Sequence, residues 1–265
     1  MEESLITIAS YDNIFEAELA KALLEESGFK VYLLNERMMG IYPTVAADMY
    51  RIELQVPSSD EESASRILES LGDESFTSEL LSASGALLEG HFLLTSGKHS
   101  GNYVEKIRIL QKPESAAMLC RKLAERIGKF EFDAIVGPAY GGIALAFETA
   151  RILAKDFIFT QRKDEQMTIR SGFDLAAIRK VAVIEDIVTT GGSVFEVIKC
   201  MQDRGIEVVV VAALVDRSGG KVDFGISFEA LLSLDIPVWD AEVCPLCAQN
   251  HELVKPGASD KKPVH

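Results

Sequence analysis

The segment VAVIEDIVTTGGS, residues 181–193, joins an apolar run, two adjacent carboxylates and a loop rich in threonine and glycine. The run at 181–184 has the continuous hydrophobicity of a strand that is buried on both faces. Gly191 and Gly192 favour a tight turn, and a helical pattern begins near Ser193. The segment therefore predicts a buried strand, a loop and the N-terminus of a helix.

The same pattern repeats on both sides of this segment. Apolar runs bounded by polar residues lie at 134–136, 157–159 and 208–211, and helical patterns lie at 114–127, 142–154 and 193–204. This alternation predicts an α/β fold with a doubly wound, mainly parallel sheet. Ligands of such sheets bind beyond the carboxyl ends of the strands. The residues that follow each strand are therefore the candidates for a site.

The loop after the run at 181–184 has the composition of a phosphate-binding site. Backbone N–H groups of residues 190–193, the hydroxyl groups beside them and the dipole of the following helix favour an anion. Glu185 and Asp186 lie at the edge of this loop, where carboxylates can accept hydrogen bonds from hydroxyl groups or hold a cation. A phosphate beside a diol indicates a sugar phosphate, and the sequence has neither a Walker A motif nor a G-x-G-x-x-G fingerprint.

Residues 181–193 resemble the phosphoribosyl pyrophosphate (PRPP) motif of type I phosphoribosyltransferases. Segments at 90–100 (followed by Tyr103 and Lys106), 137–142 and 215–220 are similar to those of orotate phosphoribosyltransferases, in that family's order, over about residues 76–257. The resemblance implies a type I phosphoribosyltransferase fold. It also implies a Mg²⁺-dependent transfer of the 5-phosphoribosyl group from PRPP to orotate, giving orotidine 5-monophosphate and diphosphate in UMP biosynthesis.

The resemblance implies a role for particular residues of these segments. Glu185 and Asp186 would bind the ribose hydroxyls, and Asp186 would also take part in proton movement. Residues 137–142 would form the pyrophosphate loop. Arg217, Thr189 and Lys98 would bind orotate, since an arginine fork suits an anionic planar base. The remaining predicted PRPP-binding residues are Ile187, Val188, Thr189, Thr190, Gly191, Gly192, Ser193, Arg162, Lys163, Arg170 and Gly141.

Residues 161–173 resemble the flexible catalytic loop that closes over PRPP and is shared with the neighbouring subunit of a homodimer. Arg162 and Lys163 are, with Asp186, the predicted catalytic residues, because cations can neutralise charge that grows on leaving diphosphate. An ordinary exposed hairpin is the alternative for this segment. Many family members carry a lysine and a histidine later in this loop, and a lysine where Gly141 stands, so this chain departs from the pattern twice.

Two functions remain as alternatives to orotate transfer. One is a non-catalytic PRPP-binding regulator, which the missing loop residues would allow. The other is a phosphoribosyltransferase for another base, against which the segments at 95–100 and 215–220 speak by resemblance.

The composition excludes several classes of protein. The net charge of −14 disfavours a nucleic-acid binder, which needs an excess of cations. Apolar runs are too short to span a membrane, and the N-terminus lacks the pattern of a signal peptide. Four scattered cysteines are typical of a reducing compartment. We therefore expect a cytoplasmic protein that acts on small molecules and binds neither nucleic acid nor membrane.

The charge is distributed unevenly along the chain, which favours two modules. Residues 1–75 carry 5 basic and 16 acidic side chains, whereas the remainder carries 22 and 25. We predict a small α/β domain over 1–74 and a catalytic domain over 75–265. The first resembles prokaryotic signal-transducing domains of ferredoxin-like architecture over about residues 4–72, and we expect packing or dimerisation as its role. Met38, Met39, Ile41 and Tyr42 could line a contact surface.

The segment Cys244-Pro245-Leu246-Cys247, with His251 nearby, has some of the residues of a zinc site. A structural zinc ion needs four ligands, and only three candidates are close in sequence. A redox pair and a plain C-terminal turn are the alternatives, and the turn is favoured. We predict no metal-ligating residues in this chain.

Overall fold

The computed structural model describes residues 4–11, 14–35, 51–70, 73–94 and 96–256. The chain divides into two compact units, Met1–Gly72 and Asp73–His265. Within the described residues, no helix is both long and apolar enough to cross a membrane.

The first unit is a three-stranded antiparallel sheet with two helices. Its strands follow the order β1-β3-β2, and its core includes Leu24, Leu54 and Val56. The predicted small α/β domain is thereby confirmed, whereas Met38, Met39, Ile41 and Tyr42 lie outside the described residues. The elements are β1 (Leu5–Tyr11), α1 (Ile14–Glu26), β2 (Tyr32–Leu34), β3 (Ile52–Pro57) and α2 (Glu61–Ser70).

The second unit contains a six-stranded sheet, helices on both of its faces and a smaller sheet. Its elements are α3 (Asp73–Ala83), β4 (Leu87–Leu93), β5 (His99–Val104), α4 (Lys106–Leu110), α5 (Pro113–Ile127), β6 (Ala134–Pro138), α6 (Gly141–Leu153), β7 (Asp156–Lys163), β8 (Gln166–Ile169), β9 (Lys180–Val188), α7 (Gly192–Gln202), β10 (Glu207–Asp216), β11 (Ser227–Ser233), β12 (Val238–Trp239), a 3-10 helix (Ala241–Val243), α8 (Pro245–Ala248) and β13 (Leu253–Val254).

The six-stranded sheet has the order β11-β10-β9-β6-β7-β8 and is parallel except for β8 at its edge. Its central strand β9 sends Ala182 and Ile184 into one core cluster, and Val181 and Val183 into the other. Because successive side chains point to opposite faces, a strand covered on both faces is apolar throughout. The predicted doubly wound sheet is confirmed, and its central strand is the one that ends in the acidic pair.

Helix α3 lies at the start of the second compact unit and was not predicted. Residues 73–75, assigned to the first module or to its edge, belong to the first turn of this helix. Leu80 and Leu81 are fully buried in the core of the second unit, and Phe76 packs against the same core. Glu74 and Ser75 are exposed in this first turn, so their polar character does not distinguish a helix start from a linker.

A four-stranded sheet, β12-β5-β4-β13, forms a second layer that we call the hood. Its central pair, β4 and β5, is an antiparallel hairpin with a register shift between Glu89 and Phe92. The C-terminal segment adds one strand to each side of this hairpin, as Trp239 pairs with His99 and Leu253 pairs with His91. The hood therefore holds residues from the two ends of the second unit together.

Candidate active site

The carboxyl ends of three neighbouring strands bring the candidate residues together. In the sheet order, β9 lies between β10 and β6, so the loops after these strands meet at one edge. Val188 and Asp216 are register partners at the ends of β9 and β10. The N–H of Arg217 donates to the carbonyl of Val188 over 2.8 Å. Arg217 thus lies directly beside the loop that follows β9.

The loop after β9 surrounds a cavity of about 200 Å³. Gly191 has a φ of +73°, and a Cβ at this position would lie 2.9 Å from both Phe224 and Val222. Glycine therefore allows the turn and aims the N-terminus of α7 at the cavity, where helix N–H groups favour an anion. The residues lining the cavity are Arg162, Glu185, Ile187, Val188, Thr189, Thr190, Gly191, Gly192, Ser193 and Val194.

Glu185 and Asp186 are both buried at the end of β9. The N–H of Asp186 donates to Oε1 of Glu185 over 3.0 Å, and the N–H of Ile187 donates to Oδ1 of Asp186 over 2.7 Å. Burial, followed by the negative charge of Asp186, raises the pKa of Glu185 to about 8. The Glu185 carboxyl therefore holds a proton in the neutral range, while its neighbour has a cationic partner.

That partner is Lys106, at the start of α4, whose Nζ lies 2.7 Å from Oδ2 of Asp186. Partial burial alone would lower the pKa of Lys106, but the charge and hydrogen bond of Asp186, with the charge of Glu185, outweigh it and raise the pKa. Lys106 belongs to one of the segments that resemble the family, but its sequence context indicates no role for it. The spacing between residues 106 and 186 offered no signal that the two would meet.

The same contact explains one departure from the family pattern. A Cβ built on Gly141 would overlap the carboxylate of Asp186 and would lie 3.4 Å from Nζ of Lys106. Position 141 therefore has no room for a side chain while Asp186 keeps its place. A cation is nevertheless present near this position, because Nζ of Lys106 lies within 3.4 Å of where the Cβ would be.

Arg217 is half-buried and lacks an acidic partner among the residues that the structure describes. Its Nε is buried, and its N–H donates to no hydrogen-bond acceptor among the described residues. Burial lowers the pKa of Arg217, and Tyr103 opposes this effect. Burial also raises the pKa of Tyr103, whereas the positive charges of Lys106 and Arg217 lower it. A buried cation without a counter-ion is costly, so this position favours an anionic ligand.

The segment at 161–173, predicted as a flexible catalytic loop with an exposed hairpin as the alternative, contains a β-hairpin. Strands β7 and β8 pair antiparallel across a turn at Asp164 and Glu165, both of which have positive φ. Two residues with positive φ form the tight turn that suits a hairpin's twist. Stacked and edge-on contacts among Phe157, Phe159 and Phe173 pack the base of this hairpin.

The three cations of this hairpin segment occupy different positions. Arg162 lines the phosphate-sized cavity and is held by Glu196 through two hydrogen bonds of 2.9 and 2.7 Å. Lys163 and Arg170 are exposed and do not line that cavity. The structure therefore brings Arg162 to the acidic edge and leaves Lys163 and Arg170 on the outer part of the hairpin.

Of the predicted orotate-binding residues, Lys98 forms an ion pair and does not line the cavity. Its Nζ lies 3.0 Å from Oδ1 of Asp240, and both side chains are largely exposed. Thr189, by contrast, lines the cavity beside Arg217. The role of Lys98 toward the base stays a prediction.

A larger cavity of about 380 Å³ lies at the opposite end of the sheet. It is lined by Phe132, Asp133 and Lys180, at the amino ends of β6 and β9, among other residues. None of the predicted site residues lines it. In parallel sheets ligands bind at the carboxyl ends, so the smaller cavity is the candidate site.

The two cysteines of the C-x-x-C segment lie next to two histidines of the hood strands β4 and β5. The sequence did not predict this contact. His91, His99, Cys244 and Cys247 place their candidate ligand atoms within 4.8 Å of one another. The predicted third ligand, His251, contributes its backbone carbonyl, which lies 2.9 Å from Nδ1 of His91. The four residues belong to β4, β5 and the C-terminal segment, so no local spacing could have grouped them.

Comparison with known protein families divides the chain at the same place as its fold. Residues 107–224 match the family described as "Phosphoribosyl transferase domain". Residues 5–72 match the family described as "Putative prokaryotic signal transducing protein". The candidate residues of the carboxyl edge lie in, or directly beside, the first of these matches.

Relatives of known name match the second unit over nearly their whole length. An orotate phosphoribosyltransferase of Thermotoga maritima is 48% identical over 184 residues, which are 69% of this chain and 98% of the relative. One from Carboxydothermus hydrogenoformans is 50% identical over 175 residues, 65% of this chain and 92% of the relative. Among solved structures, the orotate phosphoribosyltransferase of Aeropyrum pernix is similar with a TM-score of 0.52 and 25% identity, covering 59% of this chain and 92% of that one.

Proposed function

This chain belongs to the orotate phosphoribosyltransferase family, and on that premise we propose how its residues carry out the reaction. The protein transfers the 5-phosphoribosyl group of PRPP to orotate, a step of pyrimidine biosynthesis. N1 of orotate releases its proton to solvent and forms a bond to the anomeric carbon of the ribose. The bond from that carbon to the diphosphate oxygen breaks, and diphosphate leaves with its electron pair. Positioning and charge stabilisation carry most of the catalysis in such a transfer.

The loop after β9 is our proposed site for the ribose 5-phosphate. The cavity of about 200 Å³ is lined by the hydroxyl residues and the glycines of residues 189–193, at the N-terminus of α7. This arrangement supplies N–H donors and a favourable dipole for a phosphate dianion. Glu185 and Asp186 then face the ribose and bind its two hydroxyl groups.

The diphosphate of PRPP binds, in our proposal, between Gly141 and the two cations nearest to it. Gly141 follows β6 and brings the N-terminus of α6 to the acidic pair. Lys106 lies 2.7 Å from Asp186 and faces the same space. Arg162, held by Glu196, reaches the cavity from the hairpin. Negative charge that develops on departing diphosphate is neutralised by these cations.

Mg²⁺ fits this site as a partner of the diphosphate. Glu185 and Asp186 offer the oxygen ligands that Mg²⁺ prefers. Three of their four carboxylate oxygens already have a partner, because two accept hydrogen bonds from backbone N–H groups and one pairs with Lys106. We therefore propose that diphosphate and water supply most ligands of the ion. When bound, Mg²⁺ neutralises charge on the leaving group.

Orotate binds beside Arg217. The unpartnered, buried Nε of this residue is the observation that carries the proposal for the base. Its Nε is buried without a hydrogen-bonding partner, and burial lowers its pKa. A carboxylate that binds there removes the cost of the unpaired charge and can form two parallel hydrogen bonds. Thr189 and Tyr103 border the same space, since one lines the cavity and the other interacts with Arg217.

The hairpin that carries Lys163 and Arg170 serves a neighbouring subunit in the homodimer that we propose. Both side chains are exposed and do not line the cavity of their own chain. Complementary variants test the arrangement. Asp186→Asn and Lys163→Ala, each poorly active alone, should recover activity in about a quarter of the sites when mixed. About half of the dimers are then heterodimers, and one of the two sites in each heterodimer has both native residues. No recovery in verified mixed dimers would assign Lys163 to its own chain.

The transfer itself is tested by following the absorbance of orotate with PRPP and Mg²⁺. We expect turnover that requires both, and a loss on the order of 100-fold in Asp186→Asn. PRPP binding without turnover would favour the regulator, and turnover with adenine in place of orotate would favour another base. Asp203→Asn is the matched control, because Asp203 is exposed at the end of α7, before the amino end of β10.

For the first unit we propose a packing or dimerisation role. For the whole chain we propose that it works in the cytoplasm. The match to residues 5–72 and the compact fold support a separate module. The thiols of Cys120, Cys200, Cys244 and Cys247 are free, as a reducing compartment allows. We place the module boundary between residues 72 and 73, since α3 packs into the second unit.

A further inference from the structure

The cluster under the hood has the ligand set of a structural zinc site. His91, His99 and Cys244 are buried, and Cys247 is more exposed than the other three. Two cysteines and two histidines are a common set of ligands for structural Zn²⁺. We propose that this chain binds one Zn²⁺ through Nε2 of His91, Nδ1 of His99 and the Sγ atoms of Cys244 and Cys247.

The distances between the donor atoms agree with a tetrahedral ion. Nε2 of His91 lies 2.9 Å from Nδ1 of His99, 3.5 Å from Sγ of Cys244 and 3.7 Å from Sγ of Cys247. Sγ of Cys247 lies 3.3 Å from Nδ1 of His99. Tetrahedral Zn²⁺ separates two nitrogens by about 3.3 Å and a nitrogen from a sulfur by about 3.6 Å. All four candidate atoms lie within 4.8 Å of one another, so an adjustment of about 1 Å at most completes a tetrahedral coordination shell.

Hydrogen bonding among the four side chains cannot satisfy this cluster. A carbonyl oxygen only accepts, so Nδ1 of His91 donates its proton to the carbonyl of His251. Nε2 of His91 then has a single lone pair, and three groups converge on it: His99, Cys244 and Cys247. One donor can use that lone pair. A cation placed between the four atoms gives each of them a partner.

The bond from His91 to the carbonyl of His251 has a second consequence. Metal-binding histidines commonly donate their other ring N–H to a carbonyl or carboxylate, which fixes the tautomer and the ring. The carbonyl of His251 has this position, in the turn that follows α8. This contact also explains why His251 itself is not a ligand, although its spacing from Cys247 suggested one.

Charge balance favours Zn²⁺ in this buried place. Binding releases the two thiol protons to solvent, and two thiolates with two neutral imidazoles compensate the charge of the ion. The ion closes a loop of more than a hundred residues, from β4 and β5 to the C-terminal segment. It thereby fixes the hood, whose strand β5 carries Tyr103 and leads into Lys106.

The test is metal analysis of the full chain, expressed with added zinc and purified under reducing conditions. We expect about one Zn²⁺ per chain, and we expect Co²⁺ added to the apoprotein to give the visible absorption bands of a tetrahedral thiolate site. Cys247→Ser should lose at least about 90% of the bound zinc, as one of four ligands is removed. His251→Ala, which keeps the backbone carbonyl, is the matched control and should retain the full amount.

Three results would overturn the proposal. One is wild-type protein with less than about 0.1 equivalent of zinc and no cobalt bands. Another is equal zinc content in Cys247→Ser and wild type. The third is a disulfide between Cys244 and Cys247 in the metal-free wild-type protein, which would identify a redox pair. If Cys247→Ser does not fold, the cobalt titration of wild type alone decides.

Discussion

The carboxyl edge of the six-stranded sheet and the cluster under the hood are assembled in opposite ways. At the edge, most of the phosphate-sized cavity comes from one continuous segment, residues 185–194. At the cluster, four residues from three places in the chain come together. The contacts between a cysteine and a histidine join residues that lie 148 to 156 positions apart in the sequence. A local segment carries its chemistry in its sequence, whereas a site formed by tertiary contacts becomes visible only in the fold. The comparison predicts that damage to the edge reduces activity and that damage to the cluster reduces stability.

Gly141→Ala should have the largest effect and should act on activity. The added Cβ overlaps the carboxylate of Asp186, which must then move away from Lys106. We expect kcat/KM to fall on the order of 100-fold, because a shift of about 1 Å in a catalytic group can cost that much. Steady-state kinetics with thermal unfolding as the companion measurement checks this. Gly101→Ala, whose Cβ has only ordinary contacts, is the control, and equal activity of the two variants would contradict the proposed role of position 141.

Cys247→Ser should act on stability instead. Loss of one zinc ligand removes the crosslink between the hood hairpin and the C-terminal segment. We expect the free energy of unfolding to fall by about 2 kcal/mol, since a metal that binds only the folded state stabilises it. Denaturant titration with and without added Zn²⁺ measures this difference. A variant as stable as wild type in both conditions would place the cluster outside the stabilising part of the fold.

Glu185→Gln should change how stability depends on pH. The pKa of Glu185 is raised by burial to about 8, so the folded chain holds a proton that the unfolded chain releases near its ordinary pKa. Its contribution is complete at acidic pH and is lost as the pH rises toward 8. Wild type should therefore lose on the order of a few kcal/mol more than Glu185→Gln between pH 5 and pH 9. Denaturant unfolding at both pH values checks it, and parallel curves for the two proteins would contradict the raised pKa.

Removal of residues 1–72 should have the smallest effect on activity. All the proposed site residues lie in the second unit, and α3 stays in place because the deletion ends before Asp73. We expect kcat/KM of the truncated chain to stay within about twofold of the full chain, as a domain with its own core folds by itself. A deletion of residues 1–84, which also removes Leu80 and Leu81 from the core, is the destabilised comparison. Complete inactivity of a well-folded 73–265 chain would show that the first unit contributes to catalysis.

Prediction from sequence succeeded where periodicity and local motifs carry the information. The strand at 181–184 was identifiable because burial on both faces requires an uninterrupted apolar run. The loop that follows it was identifiable because glycines, hydroxyl residues and a helix start are adjacent in the chain. The central strand and the loop that lines the cavity therefore followed from residues 181–193, and the sheet followed from the repetition of this pattern along the chain.

Prediction failed where tertiary contacts decide the structure. The strands of the hood contain Gly90, Gly101 and polar residues, which hide their alternation. The hairpin turn at Asp164 and Glu165 lacks the glycine or asparagine that usually marks such a turn. Lys106 meets Asp186 only because α4 packs near the edge of the sheet. None of these features has a signature within a short window of sequence.

The most direct test of the account compares orotate with uracil, which lacks the carboxylate, as substrates of wild type and Arg217→Ala. Because Arg217 is a half-buried cation whose Nε has no partner, we expect wild type to favour orotate strongly. Arg217→Ala should lose on the order of 100-fold in kcat/KM for orotate and little for uracil, while PRPP binding is unchanged. Lys221→Ala, an exposed cation four residues later, should behave as wild type. If Arg217→Ala kept its preference for orotate, the carboxylate would bind elsewhere and the proposed site for the base would be wrong.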